Sequence, residues 1–235
     1  MEIEKSFTFV FEEPKWLQKL AIGAVVSIIP IVNFAWVGYM IEVMRNIFKS
    51  DPLPLPEWGD FGDKFMKGLF ISLAMIIYSL PALILFCLPV GFLIPTMLQE
   101  NQDIGNALAG MLTGTWILVL CCFFVYMIVL SFFYPAMIIH YARQGTFSSC
   151  FQVREFLQLA TSNMGDYLIA WLISFLASLA VGAVVSVLSA ILSPIICIGW
   201  IIALALSAIS IVYPSLVYVH LFGQVGIKQS AIQQG

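Results

Sequence analysis

The sequence predicts an all-α fold, a polytopic bundle of transmembrane helices with four full spans after a proline-broken first segment. Apolar residues make up 61% of the 235 residues before the 16 glycines are counted, where a soluble domain has about 45–50% with glycine included. Charged residues make up 10%, against about 25% in a soluble domain, and they sit in a few short stretches. Between those stretches the chain reads as long apolar runs, enough for a hydrocarbon core about 30 Å thick. A soluble enzyme, a disordered tail and a disulfide-rich secreted module are thereby excluded. The net charge of −3, with no basic run, excludes a nucleic-acid binder.

The chain reads as a single membrane domain, 1–235. Residues 1–15 are acidic and aromatic, an interfacial segment without the positive start or cleavage site of a signal peptide, so the first membrane segment is expected to be retained. The run 16–48 is broken by Pro30, which removes a backbone donor, and Asn33 is placed to cap the helix that follows. Its two pieces, roughly 20–23 Å at 1.5 Å per residue, are too short to span alone. The run is either one kinked helix or a re-entrant hairpin. The loop 50–64 carries Pro52, Pro54 and Pro56, which favour a stiff, extended chain.

Transmembrane helices are expected over 65–98, 107–141, 167–192 and 195–222. The first of these is longer than a span needs and is expected to tilt or break near Pro89. Residues 147–161 are amphipathic: Cys150, Val153, Phe156, Leu157 and Ala160 line one face, as in an interfacial helix. The cysteines are odd in number, five, and mostly sit in apolar runs, where cysteine packs as a small hydrophobe.

Arg45, Lys49, Lys64, Lys67, Arg143, Arg154 and Lys228 fall on one side if the four later runs each cross once. The positive-inside rule makes that side, with the C-terminus, cytoplasmic. Lys5, Lys15 and Lys19 join them if the first run is a hairpin and oppose them if it spans.

Two segments read as copies of one unit. Gly62–Ala74 and Gly165–Ala177 share five of thirteen positions, and Tyr134-Pro135 before His140 and Gln144 parallels Tyr213-Pro214 before His220 and Gln224. Such a parallel repeat of two-helix hairpins is one reading; chance alignment of apolar sequence is the other. Asp63 and Asp166 are expected as helix N-caps. Small residues at Ala170, Ser174, Ser178, Gly182, Ser186 and Ala190, and the Gly110/Gly114 pair, allow close helix contact. That contact is either packing inside the chain or a surface for a partner.

No catalytic, cofactor-binding or metal residue is assigned, and no cofactor is expected. Glu57, Asp60 and Asp63 have the spacing of oxygen ligands, but read more simply as a cap, a solvated loop and partners for Lys64 and Lys67. Trp58 reads as an interface anchor. His140 and His220 sit near helix ends, where satisfied interfacial histidines are commoner than a metal or haem pair. Glu42, acidic in an apolar run, finds its expected salt-bridge partner in Arg45 three residues on. Nucleophile and phosphate-binding motifs are missing, so the chain is expected not to be an enzyme.

At EEPKWLQKLAIGAVVSIIPIVNFAWVGYMIEVMRNIF and the loop LPLPEWGDFGDKFMKGL the sequence resembles the DUF4013 family, through Pro56, Glu57, Trp58, Asp60, Phe61, Gly62 and Asp63. GDYLIAWL (165–172), CIG (197–199) and HLFGQ (220–224) resemble its C-terminal half. The resemblance implies a prokaryotic integral membrane protein, in a bacterial or archaeal cell membrane, and brings no activity or site residue with it. The expected partners are the lipid bilayer and other membrane-protein subunits, with no nucleic acid. The function expected is an accessory or structural subunit, or organiser, of a larger membrane complex; a small-molecule transporter or channel is the alternative.

Overall fold

The computed structural model describes residues 1–97, 102–192, 195 and 198–233, and every regular element among them is helical. In chain order these are α1 (Ile3–Glu12), α2 (Trp16–Ile28), α3 (Phe34–Phe48), α4 (Phe61–Met97) and α5 (Gln102–Gln144). A 3₁₀ turn (Phe147–Phe151), α6 (Val153–Ser162), α7 (Met164–Leu192) and α8 (Ile198–Gln233) follow. Four stretches are long and apolar enough to cross a membrane: Phe61–Cys87, Gly114–Gln144, Met164–Leu192 and Gly199–Gln229. The chain is a multi-pass membrane protein.

The first run is a helix hairpin. A Cβ on Gly23 of α2 would lie 2.5 Å from the Trp36 ring of α3. The Lys19 carbonyl accepts from Trp58, whose ring stacks on Tyr39. Residue numbers fall along α2 as they rise along α3, so the two helices run antiparallel. The break comes where Pro30 demands it, with Ile31 in the left-handed region at φ 70°. Asn33 stands at the start of α3, but only its carbonyl contributes; its side chain makes no capping bond.

Several boundaries differ from the reading of the sequence. The N-terminal segment contains a helix, α1, which buries Ser6, Phe9 and Val10. Of the tilt or break expected near Pro89, the break is absent: α4 is continuous from Phe61 to Met97, through Pro81 and Pro89. α5 and α8 likewise contain Pro135 and Pro214. Proline is tolerated in such helices where neighbours re-satisfy the freed backbone groups. At Pro135 the neighbour is visible, because the Ala136 N–H donates to the Tyr167 hydroxyl of α7 at 3.1 Å. α8 continues well past residue 222 to Gln233. The amphipathic stretch divides at Gln152 into the 3₁₀ turn and α6, burying Cys150, Phe156, Leu159 and Ala160 while Val153 is exposed.

The chain gathers into two compact units, residues 1–72 with 135–235, and residues 73–134. The second consists of the remainder of α4 and most of α5. There the Tyr126 hydroxyl donates to the Tyr78 carbonyl at 2.7 Å, and Phe86 packs against Trp116 and Phe123. Gly110 and Gly114 lie in this unit with open space around them: a Cβ on either would meet nothing within 4 Å.

The first unit holds all ten lysines and arginines. The start of α4 and the ends of α3, α5 and α8 meet in it, joined by polar contacts. Arg45 Nε of α3 donates to the Ala142 carbonyl of α5 at 2.8 Å. Arg143 donates to the Gly226 carbonyl of α8 at 2.5 Å, and Lys228 pairs with Asp166 at the start of α7 at 2.7 Å. Arg45, Lys49, Lys64, Lys67, Arg143 and Lys228, six of the seven basic residues predicted to share a side, therefore lie where these helix ends meet, and the hairpin brings Lys19 to the adjoining loop.

Candidate functional site

The densest polar construction in the first unit is built on the close crossing of α3 and α4. A Cβ on Gly38 would stand 1.7 Å from the Lys64 carbonyl oxygen, and one on Gly68 would stand 1.7 Å from that of Phe34. Only hydrogen fits at either position, so the backbones touch. One turn beyond Gly38, Glu42 then lies within reach of the opposite helix. Its two oxygens take Lys64 at 2.8 Å and Lys67 at 2.9 Å, and Lys67 also pairs with Asp63 one turn back.

The expected Glu42–Arg45 bridge is thus replaced. Spacing of three does put the two on one helical face, but α4 presents two ammonium groups closer to the carboxylate. Arg45 turns instead to the last turn of α5, where a carbonyl has no intrahelical partner. Gly145 ends that helix at φ 73°, its N–H returning to the Tyr141 carbonyl at 2.8 Å, the left-handed stop that glycine adopts freely.

A second ion cluster closes the loop between α3 and α4. Lys19 is only 4% exposed, and its Nζ reaches Glu13 at 2.8 Å, the Leu55 carbonyl at 2.6 Å and Glu57 at 3.4 Å. Removing two charges from water is costly unless the pair is also hydrogen-bonded, and here the carbonyl completes the shell. Trp58 Nε1 donates to the Lys19 carbonyl at 2.9 Å, and its ring stacks on Tyr39 with centroids 4.6 Å apart. Tyr39 stacks in turn on Trp36 at 5.2 Å. Trp58 is therefore part of an aromatic pile against the hairpin. Burial first, and then Glu13, Glu57 and Glu42, push the Tyr39 phenol above its usual range.

This loop carries Pro56, Glu57, Trp58, Asp60, Phe61, Gly62 and Asp63, and a family model, "Protein of unknown function (DUF4013)", matches residues 22–190, which include it whole. The chain belongs to the DUF4013 family. No curated protein and no solved structure matches it significantly. In this DUF4013 chain the loop is a clamp: Leu55 and Trp58 fasten it to Lys19, Glu57 also pairs with Lys19, and Asp63 pairs with Lys67.

The remaining predicted residues fall in separate places. Asp63 and Asp166 occupy the first turns of α4 and α7 rather than N-cap positions. There they still complement the positive helix end. The residues before those turns, Asp60 and Asn163, accept from the Lys64 and Tyr167 N–H groups through their carbonyls. Asp166 also accepts from the Asn163 side chain at 2.9 Å. Glu57, Asp60 and Asp63 do not converge; among the described residues no group of three His, Cys, Asp or Glu does.

His140 and His220 have different partners. His140 Nε2 meets Gln152 at 2.7 Å. His220 Nδ1 meets Ser6 at 2.8 Å and Gln224 at 3.0 Å, while Phe9 stacks on its ring at 4.4 Å. Gln224 also exchanges bonds with Glu2 at 2.6 and 3.1 Å. The His-x-x-x-Gln element of α8 is the dock for α1.

The small-residue face of α7 is buried at its start and open around Gly182. Ala170 and Ser174 are buried, whereas Ser178 and Ser186 are exposed and a Cβ on Gly182 would meet nothing within 4 Å. Lys19 and the Gly38/Gly68 crossing carry no local signal in the sequence.

Proposed function

We propose that the chain is a non-catalytic membrane protein that serves as an accessory subunit or organiser of a larger membrane complex. It sits in the cell membrane of a prokaryote with its C-terminus in the cytoplasm. One observation carries this reading: Ser178, Gly182 and Ser186 form a face that admits close backbone approach, and among the described residues nothing packs within 4 Å of a Cβ on Gly182, while both serines are exposed. The spans add to it, since at most 28% of any apolar window is buried inside the chain. The polar groups of the first unit support a structural role, because they pair with one another or with carbonyls as clamps. Orientation follows from the gathering of basic residues at one end.

The broken α2–α3 hairpin favours a second reading, a small-molecule transporter or channel, since discontinuous helices line many transport sites. Purification of the full chain from its native membrane in a gentle detergent separates the two. A stoichiometric larger partner, lost when Gly182 is replaced by Leu, is the expected result. A partner-free monomer or dimer would contradict the subunit reading and favour transport.

A further inference from the structure

A cleft of about 640 Å³ opens in the first unit between the ends of α3 and α5 and the start of α4. Four cationic side chains line it, Arg45, Lys49, Lys67 and Arg143, with Asp63 as the only carboxylate. A chain of net charge −3 thus carries a local excess of three positive charges in one concavity. Part of that charge is already committed: Lys67 holds Glu42 and Asp63, and Arg143 holds the Gly226 carbonyl and lies 5.7 Å over the Phe48 ring. Arg45 and Lys49 are not so committed. Among the described residues Arg45 spends Nε on the Ala142 carbonyl and makes no salt bridge, feeling Asp63 only at longer range, and the exposed Lys49 has neither an ion pair nor a side-chain hydrogen bond.

The wall of the same cleft is apolar. Phe48, Met66 and Phe70 line it, and Met66 and Phe70 lie about one and a half and two and a half turns inside the span that begins at Phe61. The cleft therefore joins a cationic mouth at the membrane surface to an apolar flank that descends toward the hydrocarbon. We propose that it binds an anionic phospholipid, with the phosphate between Arg45 and Lys49 and an acyl chain along Met66 and Phe70. A guanidinium suits such a ligand because its fork matches phosphate oxygens. Basic pockets between helices at the cytoplasmic face are suited to anionic headgroups.

The test uses the full chain in neutral detergent, with native mass spectrometry and thermal shift on adding phosphatidylglycerol, phosphatidylcholine or inorganic phosphate. Phosphatidylglycerol is expected to be retained and to raise the melting temperature, and phosphatidylcholine to do neither. Lys49→Gln and Arg45→Gln should each weaken retention about fivefold, the factor one cation near an anionic surface contributes. Lys15→Gln, an exposed charge outside the cleft, should leave it unchanged. Should Arg45→Gln fail to fold, Lys49→Gln alone carries the test, because the Lys49 side chain makes no ion pair or hydrogen bond among the described residues. Equal weakening by Lys15→Gln, or unchanged retention in Lys49→Gln, would overturn the site. Inorganic phosphate that shifts the melting temperature as much as the lipid would overturn the lipid assignment in favour of a free-phosphate site.

Discussion

Gly38 of α3 and Gly68 of α4 meet backbone against backbone, and each occupies the only space that the other helix leaves. A Cβ at either position would stand 1.7 Å from a carbonyl oxygen of the opposite helix. This contact sets the distance at which Glu42 accepts from both Lys64 and Lys67. Helix packing and the ion cluster are one construction, and they fix where the clamp loop leaves α3 and rejoins α4.

Gly38→Ala and Gly68→Ala should therefore each destabilise the chain in detergent by at least the 1–3 kcal/mol or so typical of overpacking. The backbones must separate, because neither carbonyl can move alone. Melting curves in detergent provide the check. A Gly38→Ala variant with wild-type stability would show that the helices do not cross this closely.

Gly182→Leu should behave in the opposite way. With nothing within 4 Å of the added Cβ, the isolated chain should melt within about 0.5 kcal/mol of wild type, as surface substitutions usually do. Its effect should appear only in co-purification of a partner. A large loss of stability in the isolated chain would place this face inside the fold.

Lys19→Met should cost roughly 3–5 kcal/mol, the range for removing one partner of a buried pair and leaving the other charge uncompensated. Glu13 would be the stranded charge, with one oxygen already without a hydrogen-bond partner. The double change Lys19→Met with Glu13→Gln should recover much of the loss. Comparing single and double variants in urea melts isolates the pair; additive losses would mean that the two do not interact.

Two groups outside the spans give a pH dependence of known sign. Burial pushes the Cys150 thiol from 9.0 up to about 11, and the Tyr39 phenol is raised as well. Both are held neutral by the fold, so their contribution is complete below the ordinary values and is lost as pH rises past them. Stability should be flat from pH 7 to about 9 in these terms and fall above it. Cys150→Ala should flatten the first part of that fall. Tyr39→Phe should cost little at pH 7, because the buried hydroxyl has no hydrogen-bond partner among the described residues. A melting temperature that rises between pH 9 and 11 would contradict both assignments.

What the sequence makes legible is whatever one helix decides by itself. Apolar length defined the four spans, Pro30 located the break, and the i, i+3/i+4 pattern around Phe156 and Ala160 placed most of a buried face. Positions that depend on two distant segments were not legible. Glu42 was matched to the nearest basic residue in sequence, whereas Lys64 and Lys67 arrive from another helix because of two glycines. Lys19 read as one more surface cation, since nothing local announces Glu13, Leu55 and Glu57 around it. Pro89 read as a break because a proline costs a bond in water-exposed helices, a cost that apolar surroundings and neighbouring donors or acceptors can offset. Gly182 read as a contact because small residues permit one; permission is not occupancy.

The central claim is that the first run returns to the side it leaves, bringing the α2 start, the clamp loop and the end of α8 together. Sided labelling of single cysteines at Lys15, Asp51 and Lys228, in a background without the native cysteines, tests it most directly. A membrane-impermeant maleimide applied to intact cells should leave all three unlabelled, and should label all three once the cytoplasmic face is opened. Labelling of Lys15→Cys in intact cells, with Asp51→Cys and Lys228→Cys protected, would show that the first run crosses the membrane and would contradict the account.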